Sequence, residues 1–215
     1  MSFQKIGKTS FSLLILYGIY LLVLLSLPYL SFKRGVDFLA TKELIYHLDW
    51  WRYSFYVHVF SSPIVIITGF LQFFKIFIKR YPTFHRWIGR LYIFTLLFFA
   101  APSGLLIGLY ANGGYFTQVM FVLLASCWMI SGFLAYHFAR KKEFKIHGDW
   151  MLRNYALTIS AITLRFYAYL FDVFSVPLGQ IESYQVLSFL SWVPNLVVAE
   201  LIIRTGFSKK IMESN

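Results

Sequence analysis

The sequence predicts an all-α protein: a polytopic membrane helical bundle of six transmembrane helices with both termini cytoplasmic. Three observations predict it. Apolar residues make up 59% of the 215 and charged residues only 13%, against roughly 45–50% and about 25% in soluble domains. The apolar residues fall in long continuous runs. Cationic residues crowd the ends of these runs on one side. Cys127 is the single cysteine, which excludes an intrachain disulfide scaffold and any Cys-based zinc or iron–sulfur centre.

Six runs approach the ~20 residues needed to cross a bilayer. They lie near 11–31, 54–76, 91–110, 117–138, 152–171 and 185–203. Barrel strands alternate in segments of about ten residues. These runs are longer and unbroken, so they read as helices, which satisfy their own backbone inside lipid. The connections are short, and residues 1–215 form a single membrane domain.

The first run follows Lys5 and Lys8, as a signal peptide would. Its core from Phe11 to Phe32 is too long for one and has no small-residue cleavage site, so it reads as a retained helix. In the connection to the second run, Phe38, Leu39, Leu44, Ile45, Leu48 and Trp51 recur at helical spacing. They predict an outer interfacial helix near 36–51. Trp50, Trp51, Tyr53 and Tyr56 read as an aromatic belt. The second run carries a polar stripe of His58, Ser61, Ser62, Gly69 and Gln72. Pro63 in this run and Pro102 in the third are candidate kinks.

The fifth run is the most informative. A helix turns about 100° per residue, so residues 7, 11, 14, 18 and 25 apart share a face. From His147 that face carries Asn154, Thr158, Ala161, Arg165 and Asp172. A polar stripe of this length faces the bundle rather than lipid. Arg165 lies about six residues from the outer end, roughly 9 Å deep at ~1.5 Å per residue. It either snorkels, pairs with another helix, or binds a propionate, a quinone oxygen or another anionic group. His58, Gln72, Asn154, Thr158 and Arg165 are therefore the candidate outer polar pocket.

Charge sets the orientation. One side holds Lys5, Lys8, Lys75, Lys79, Arg80, Arg86, Arg90, Arg140, Lys141, Lys142, Lys145, Arg153, Arg204, Lys209 and Lys210. The other holds Lys33, Arg34, Lys42 and Arg52. The positive-inside rule makes the first side cytoplasmic. A basic face beside anionic lipid accounts for the net charge of +11, and no nucleic-acid partner is expected. The bilayer is the first partner, and the inner (plasma) membrane the expected location.

With this orientation His47 and His58 are outer, whereas His85, His137 and His147 share the cytoplasmic level. Imidazoles ligate haem iron and other metals. They also sit in basic loops as ordinary headgroup neighbours, and both readings stay open. No HExxH or similar close-spaced ligand motif is present, which argues against a zinc hydrolase.

Three blocks carry a family resemblance: SFYVHVF…GFLQFF, FHRWIGRLY and HGDWMLRNYALTISAITLRFY. They resemble the bacterial predicted membrane proteins grouped as domain of unknown function 2306, over roughly residues 45–205. The matching positions are His58, Gln72, His85, Arg86, Gly89, Arg90, Tyr92, His147, Trp150, Arg153, Tyr155 and Arg165. More remotely the chain resembles the cytochrome b561 type, whose histidines are spread over four successive spans. Here the second to fifth runs each carry or abut one histidine. With a single outer histidine inside the membrane, an outer ligand pair would need His47 to fold in, so the resemblance implies one haem rather than two.

Two functions of different class follow. One is b-type haem electron transfer with a quinone or small reductant. His85 and His147 would be the ligands, His137 the alternate, Gly89 would make room for the ring, and Arg86, Arg90 and Arg153 would pair with propionates. The other is a non-enzymatic transporter or an accessory or assembly subunit of a larger membrane complex, partnered by other membrane proteins. Reporter fusions at Gly113 and Asn215 test the orientation beneath both: Gly113 is expected outside and Asn215 in the cytoplasm.

Overall fold

The computed structural model describes residues 3–206, with side chains from Ser12 onward. Lys5, Lys8, Lys209, Lys210 and Asn215, used above for orientation, have side chains outside the described residues. Among the described residues the chain is helical with no strand, and six stretches are long and apolar enough to cross a membrane.

The first span is α1 (Phe3–Ser26), continued by a 3-10 turn over Leu27–Ser31 that Pro28 starts and a left-handed Phe32 ends (φ 54°). The second is α2 (Asp49–Leu71). A short α3 (Lys75–Lys79) leads to the third span, made of α4 (Pro82–Thr95), a π-helical segment over Leu96–Ala100, and α5 (Ala101–Gly108). The fourth is the uninterrupted α6 (Gly114–Arg140). The fifth divides into α7 (Phe144–Thr158) and α8 (Ser160–Val173), the sixth into α9 (Gln180–Leu190) and α10 (Val193–Arg204).

The third span starts nine residues before the predicted 91, and the fifth eight residues before the predicted 152. Arg86, Arg90 and Lys145 lower the local hydropathy, but a helix keeps its backbone bonds after it leaves the lipid. The predicted interfacial helix near 36–51 is corrected. Only Asp37–Lys42 is helical there, as a 3-10 turn, and α2 already begins at Asp49. The three-residue period of a 3-10 helix sets Leu39 and Lys42 above one another, and both are buried. Trp51 is not part of a lipid-facing belt: it is fully buried, whereas Trp50 and Tyr53 are exposed.

Each irregularity has a local cause. Pro102 lacks an N–H and its ring crowds the preceding turn; just before it the ladder widens, and the Ala101 N–H bonds the Leu96 carbonyl five residues back. At Ile159 the fifth span breaks. The Asn195 side-chain amide, from α10, donates to the Ala156 carbonyl there at 3.2 Å. Pro194 in the first turn of α10 marks the break in the sixth span, where Thr163 Oγ1 donates to the Ser191 carbonyl at 2.5 Å. Non-helical backbone at membrane depth persists only where protein groups satisfy it.

Packing gathers around three apolar clusters. One centres on Tyr92, Leu96, Trp128 and Leu157. A second joins α1 through Ile15, Ile19 and Leu22 to Ile66, Phe70 and Tyr155. A third joins Tyr29, Leu39, Trp51 and Phe55 under the first connection. The outward surface keeps large exposed apolar side chains such as Phe98, Phe133 and Val197, as lipid contact requires.

In lipid, helices associate by close packing rather than by burying apolar surface from water. Gly69 shows how close. A Cβ there would stand 2.6 Å from Tyr92 Cε2 and 2.8 Å from Tyr155 Cδ2. Gly69→Ala is expected to lower the thermal unfolding midpoint in detergent, by about 1–3 kcal/mol of overpacking. Gly35→Ala, which meets nothing within 4 Å, is the control and should leave the midpoint unchanged.

Candidate functional site

A cavity of about 490 Å³ opens between the spans. α2 supplies one wall. Trp51, Phe55, His58 and Ser62 lie 4, 7 and 11 residues along, so they share one face of that helix, and all four line the space. α8 faces them with Arg165, the fifth span's break contributes Thr158 and Ser160, and α6 contributes Trp128. Leu22, Leu25 and Ser26 close the side along α1, while Tyr29 and Phe38 cover the end beneath the first connection.

His58 is held by the irregular third span. Its Nδ1 lies 2.8 Å from the Ala100 carbonyl, in the π-helical segment. A carbonyl only accepts, so Nδ1 carries the hydrogen and Nε2 of the neutral ring is an acceptor. Among the described residues Nε2 has no hydrogen-bond partner. The ring lies against Gly104, where a Cβ would come within 2.9 Å of Cε1.

Arg165 does not snorkel. Its guanidinium turns back along α8 and donates to the Ala161 carbonyl at 2.9 Å, toward the middle of the span. The ion pairs found among the described residues are Arg52–Asp49 and Arg153–Glu200; Arg165 has no acidic partner there. Ser62 Oγ and Trp51 Nε1 are buried and unpartnered. The lining thus holds one cation, Arg165, and one imidazole, His58, with hydroxyls such as those of Tyr29 and Thr158 among mostly apolar side chains.

Beneath the cavity lies a closed polar network. The Tyr92 hydroxyl donates to Asn154 Oδ1 and stands 2.9 Å from Thr158 Oγ1. Asn154 Nδ2 donates to the Trp128 carbonyl at 2.7 Å and to Ser131 Oγ at 2.8 Å. Trp128 Nε1 donates to Thr158 Oγ1 at 2.8 Å. Above the cavity, the Lys42 amine donates to the Tyr110 carbonyl and, at 2.5 Å, to Asn112 Oδ1. Asn112 Nδ2 returns a bond to Thr41 Oγ1 at 3.1 Å. The first connection is thereby clamped to the turn after α5.

The structure brings three of the five expected pocket residues to one cavity: His58, Thr158 and Arg165. Two stand elsewhere. Asn154 is fully buried as the hub of the network. Gln72 is buried at the opposite end of α2, its Oε1 3.1 Å from where a Gly89 Cβ would be. Gln72 therefore fills the room expected there for a flat ring. His147 Nδ1 bonds the Ala135 carbonyl at 2.8 Å, and His85 and His147 are within electrostatic reach of each other. His85 Nδ1 is buried without a partner. His137 stacks on Phe133, centroids 6.2 Å apart. Among the described residues no three His, Cys, Asp or Glu side chains gather as a metal site, so His85, His137 and His147 do not form one together.

The expected propionate partners are also placed. Arg153 pairs with Glu200 through Nε and Nη2, at 2.5 and 3.0 Å, and lies over the Trp150 ring. Arg90 lies over Trp87, and Arg86 donates to Thr83 at 3.2 Å. His47 is exposed and does not fold in beside His58. Sequence reasoning missed Trp128, Ser131, Gly104 and Lys42. Only Lys42 left a signal, as one of few cations on its side.

These features define a polytopic helical membrane protein with a polar-walled cavity between its spans. A family model described as predicted membrane protein (DUF2306) matches residues 55–203, and the chain belongs to that family. No curated protein and no solved structure matches it; the cytochrome b561 resemblance is not supported.

Two outcomes check this geometry. Asn154→Ala is expected to lose roughly 1–3 kcal/mol of stability, because the Tyr92 hydroxyl and Ser131 keep their polar groups without their partner; the detergent unfolding midpoint reads it. Burial also pushes the Lys42 amine down from 10.5 to about 8. Between these values the unfolded chain binds the proton and the folded one does not, so folding stability rises with pH from about 8 toward 10.5. The midpoint of the native chain should rise across that window relative to Lys42→Met.

Proposed function

We propose that this protein binds a membrane-dissolved amphiphile in the cavity between α1, α2, α6 and α8, as a carrier or accessory factor. One observation carries the reading: a mostly apolar space of about 490 Å³, within the 300–1,000 Å³ of ligand sites, whose wall carries Arg165 with no acidic partner among the described residues. An arginine inside a membrane span is costly, up to roughly 2.5–3.5 kcal/mol at a helix centre on the insertion scale, and is usually placed for a purpose. A quinone, a fatty acid or an isoprenoid has the required form, with an apolar chain and an oxygen-bearing head. With the positive-inside orientation the cavity lies toward the outer leaflet of the inner membrane.

The alternative is a haem at the cytoplasmic end. The proximity of His85 and His147 favours it, as does the His147 Nδ1 bond to Ala135, which leaves Nε2 for a metal. The surrounding residues do not fit a haem. Gln72 occupies the space over Gly89, Arg153 is committed to Glu200, and His137 rests on Phe133. A red preparation whose reducible Soret band disappears in His85→Ala/His147→Ala would reverse this choice.

The cavity reading is tested by mass spectrometry of gently extracted protein. A co-purifying amphiphile near one per chain is expected. Ala161→Trp, on the cavity wall, should lower its occupancy several-fold while leaving the protein monodisperse. Equal retention by the folded variant would remove the cavity as the binding site.

A further inference from the structure

We propose that the head of the bound molecule is an anion, a carboxylate or phosphate on a single apolar chain, and that Arg165 is its partner. This rests on the cavity being the binding site.

Charge balance points to it. Arg165 lines the cavity and has no acidic partner among the described residues. A guanidinium has five N–H donors. One nitrogen is used toward Ala161, which leaves most of the fork unpaired. A backbone carbonyl offers a dipole but no charge. In a low-dielectric space an uncompensated cation favours an anion over a neutral carbonyl, and a guanidinium fork matches carboxylate or phosphate oxygens.

The rest of the wall agrees. Ser62 Oγ and Trp51 Nε1 are buried, unpartnered groups able to donate. Both lie on the face of α2 that lines the same space. Among the described residues no acidic side chain lines the cavity, whose lining includes Leu22, Phe55, Ile107, Phe121 and Leu164. The volume falls in the lower half of the ligand-site range, which suits one chain rather than two. His58 Nε2 accepts but does not donate when the ring is neutral, so it suits a protonated oxygen or a hydroxyl beside the charged head.

Trp51 and Trp128 both line the cavity, so a brominated chain bound there will quench them. The purified full chain in a nonionic detergent is titrated at pH 8 with 9,10-dibromostearate and with its methyl ester. The acid should quench with an affinity about tenfold or more above that of the ester, the equivalent of one charge-assisted contact. Arg165→Gln should remove most of that preference and Arg165→Lys should restore part of it. Competition by monododecyl phosphate more strongly than by laurate assigns a phosphate head, and the reverse a carboxylate. Competition by inorganic phosphate alone overturns the amphiphile in favour of a soluble anion. Equal affinities for acid and ester in the native chain overturn the anionic head and leave the cavity reading standing. No quenching by either probe overturns the cavity reading itself. The acid–ester comparison needs no variant, so a poorly folding Arg165→Gln does not blunt the test.

Discussion

Asn154 carries an amide into a region where no water can serve it, and the central architecture follows from how that amide is satisfied. Its oxygen takes the Tyr92 hydroxyl from α4. Its nitrogen reaches the Trp128 carbonyl and Ser131 on α6. Three spans are thereby fixed in relative depth and rotation. Apolar contacts alone could not do this, because lipid tails are as good a neighbour as leucine. Gly69 then lets α2 approach the same Tyr92 ring from the other side. The network is a floor, and the cavity stands on it.

Around that floor the helices depart from regularity in the third, fifth and sixth spans. In each of these spans a side chain bonds a carbonyl at or near the irregular stretch. Ala100 receives His58, Ala156 receives Asn195, and Ser191 receives Thr163. The irregular backbone is thus a set of acceptors that orient polar side chains. The π-helical segment illustrates the coupling: it places the carbonyl that fixes the His58 tautomer, and Gly104 one turn later leaves room for the ring. α8 contributes no fully buried residue, so Arg165 stands on the least enclosed of these helices.

Much of this was legible in the sequence. Hydropathy gives the spans, because a helix must be apolar wherever it meets lipid. The 100° periodicity places Asn154 and Thr158 inward, since lipid would not tolerate them. His58 and Arg165 share a depth and do share a cavity. What periodicity cannot give is the partner. Gln72 lies on the same stripe as His58, but the stripe runs the length of α2 and its two ends face different neighbours. Asn154 reads equally as a wall or a hub until Trp128 and Ser131 are known to face it. His85, His137 and His147 are expected at one level, but a level is a plane, and His137 stacks on Phe133. The first connection was misread because its apolar spacing fits a helix of either 3.0 or 3.6 residues per turn, and the buried Lys42 decides for the tighter one.

One side of the cavity and its cover come from a stretch of the chain that the family model does not reach. His58, Ser62 and Arg165 lie within residues 55–203, the stretch that the family model describes. Leu22, Leu25, Ser26, Tyr29, Phe38 and the Lys42 clamp lie before it. The cavity is thus built from two stretches of the chain, and Trp51 as well as the α1 side lies outside the one that the family model describes. On the proposed reading, substitutions along α1 and the first connection alter the space around the guest's chain and leave His58, Ser62 and Arg165 unchanged. On that reading, the side chains that limit the guest's size along α1 are not the one that meets its charge.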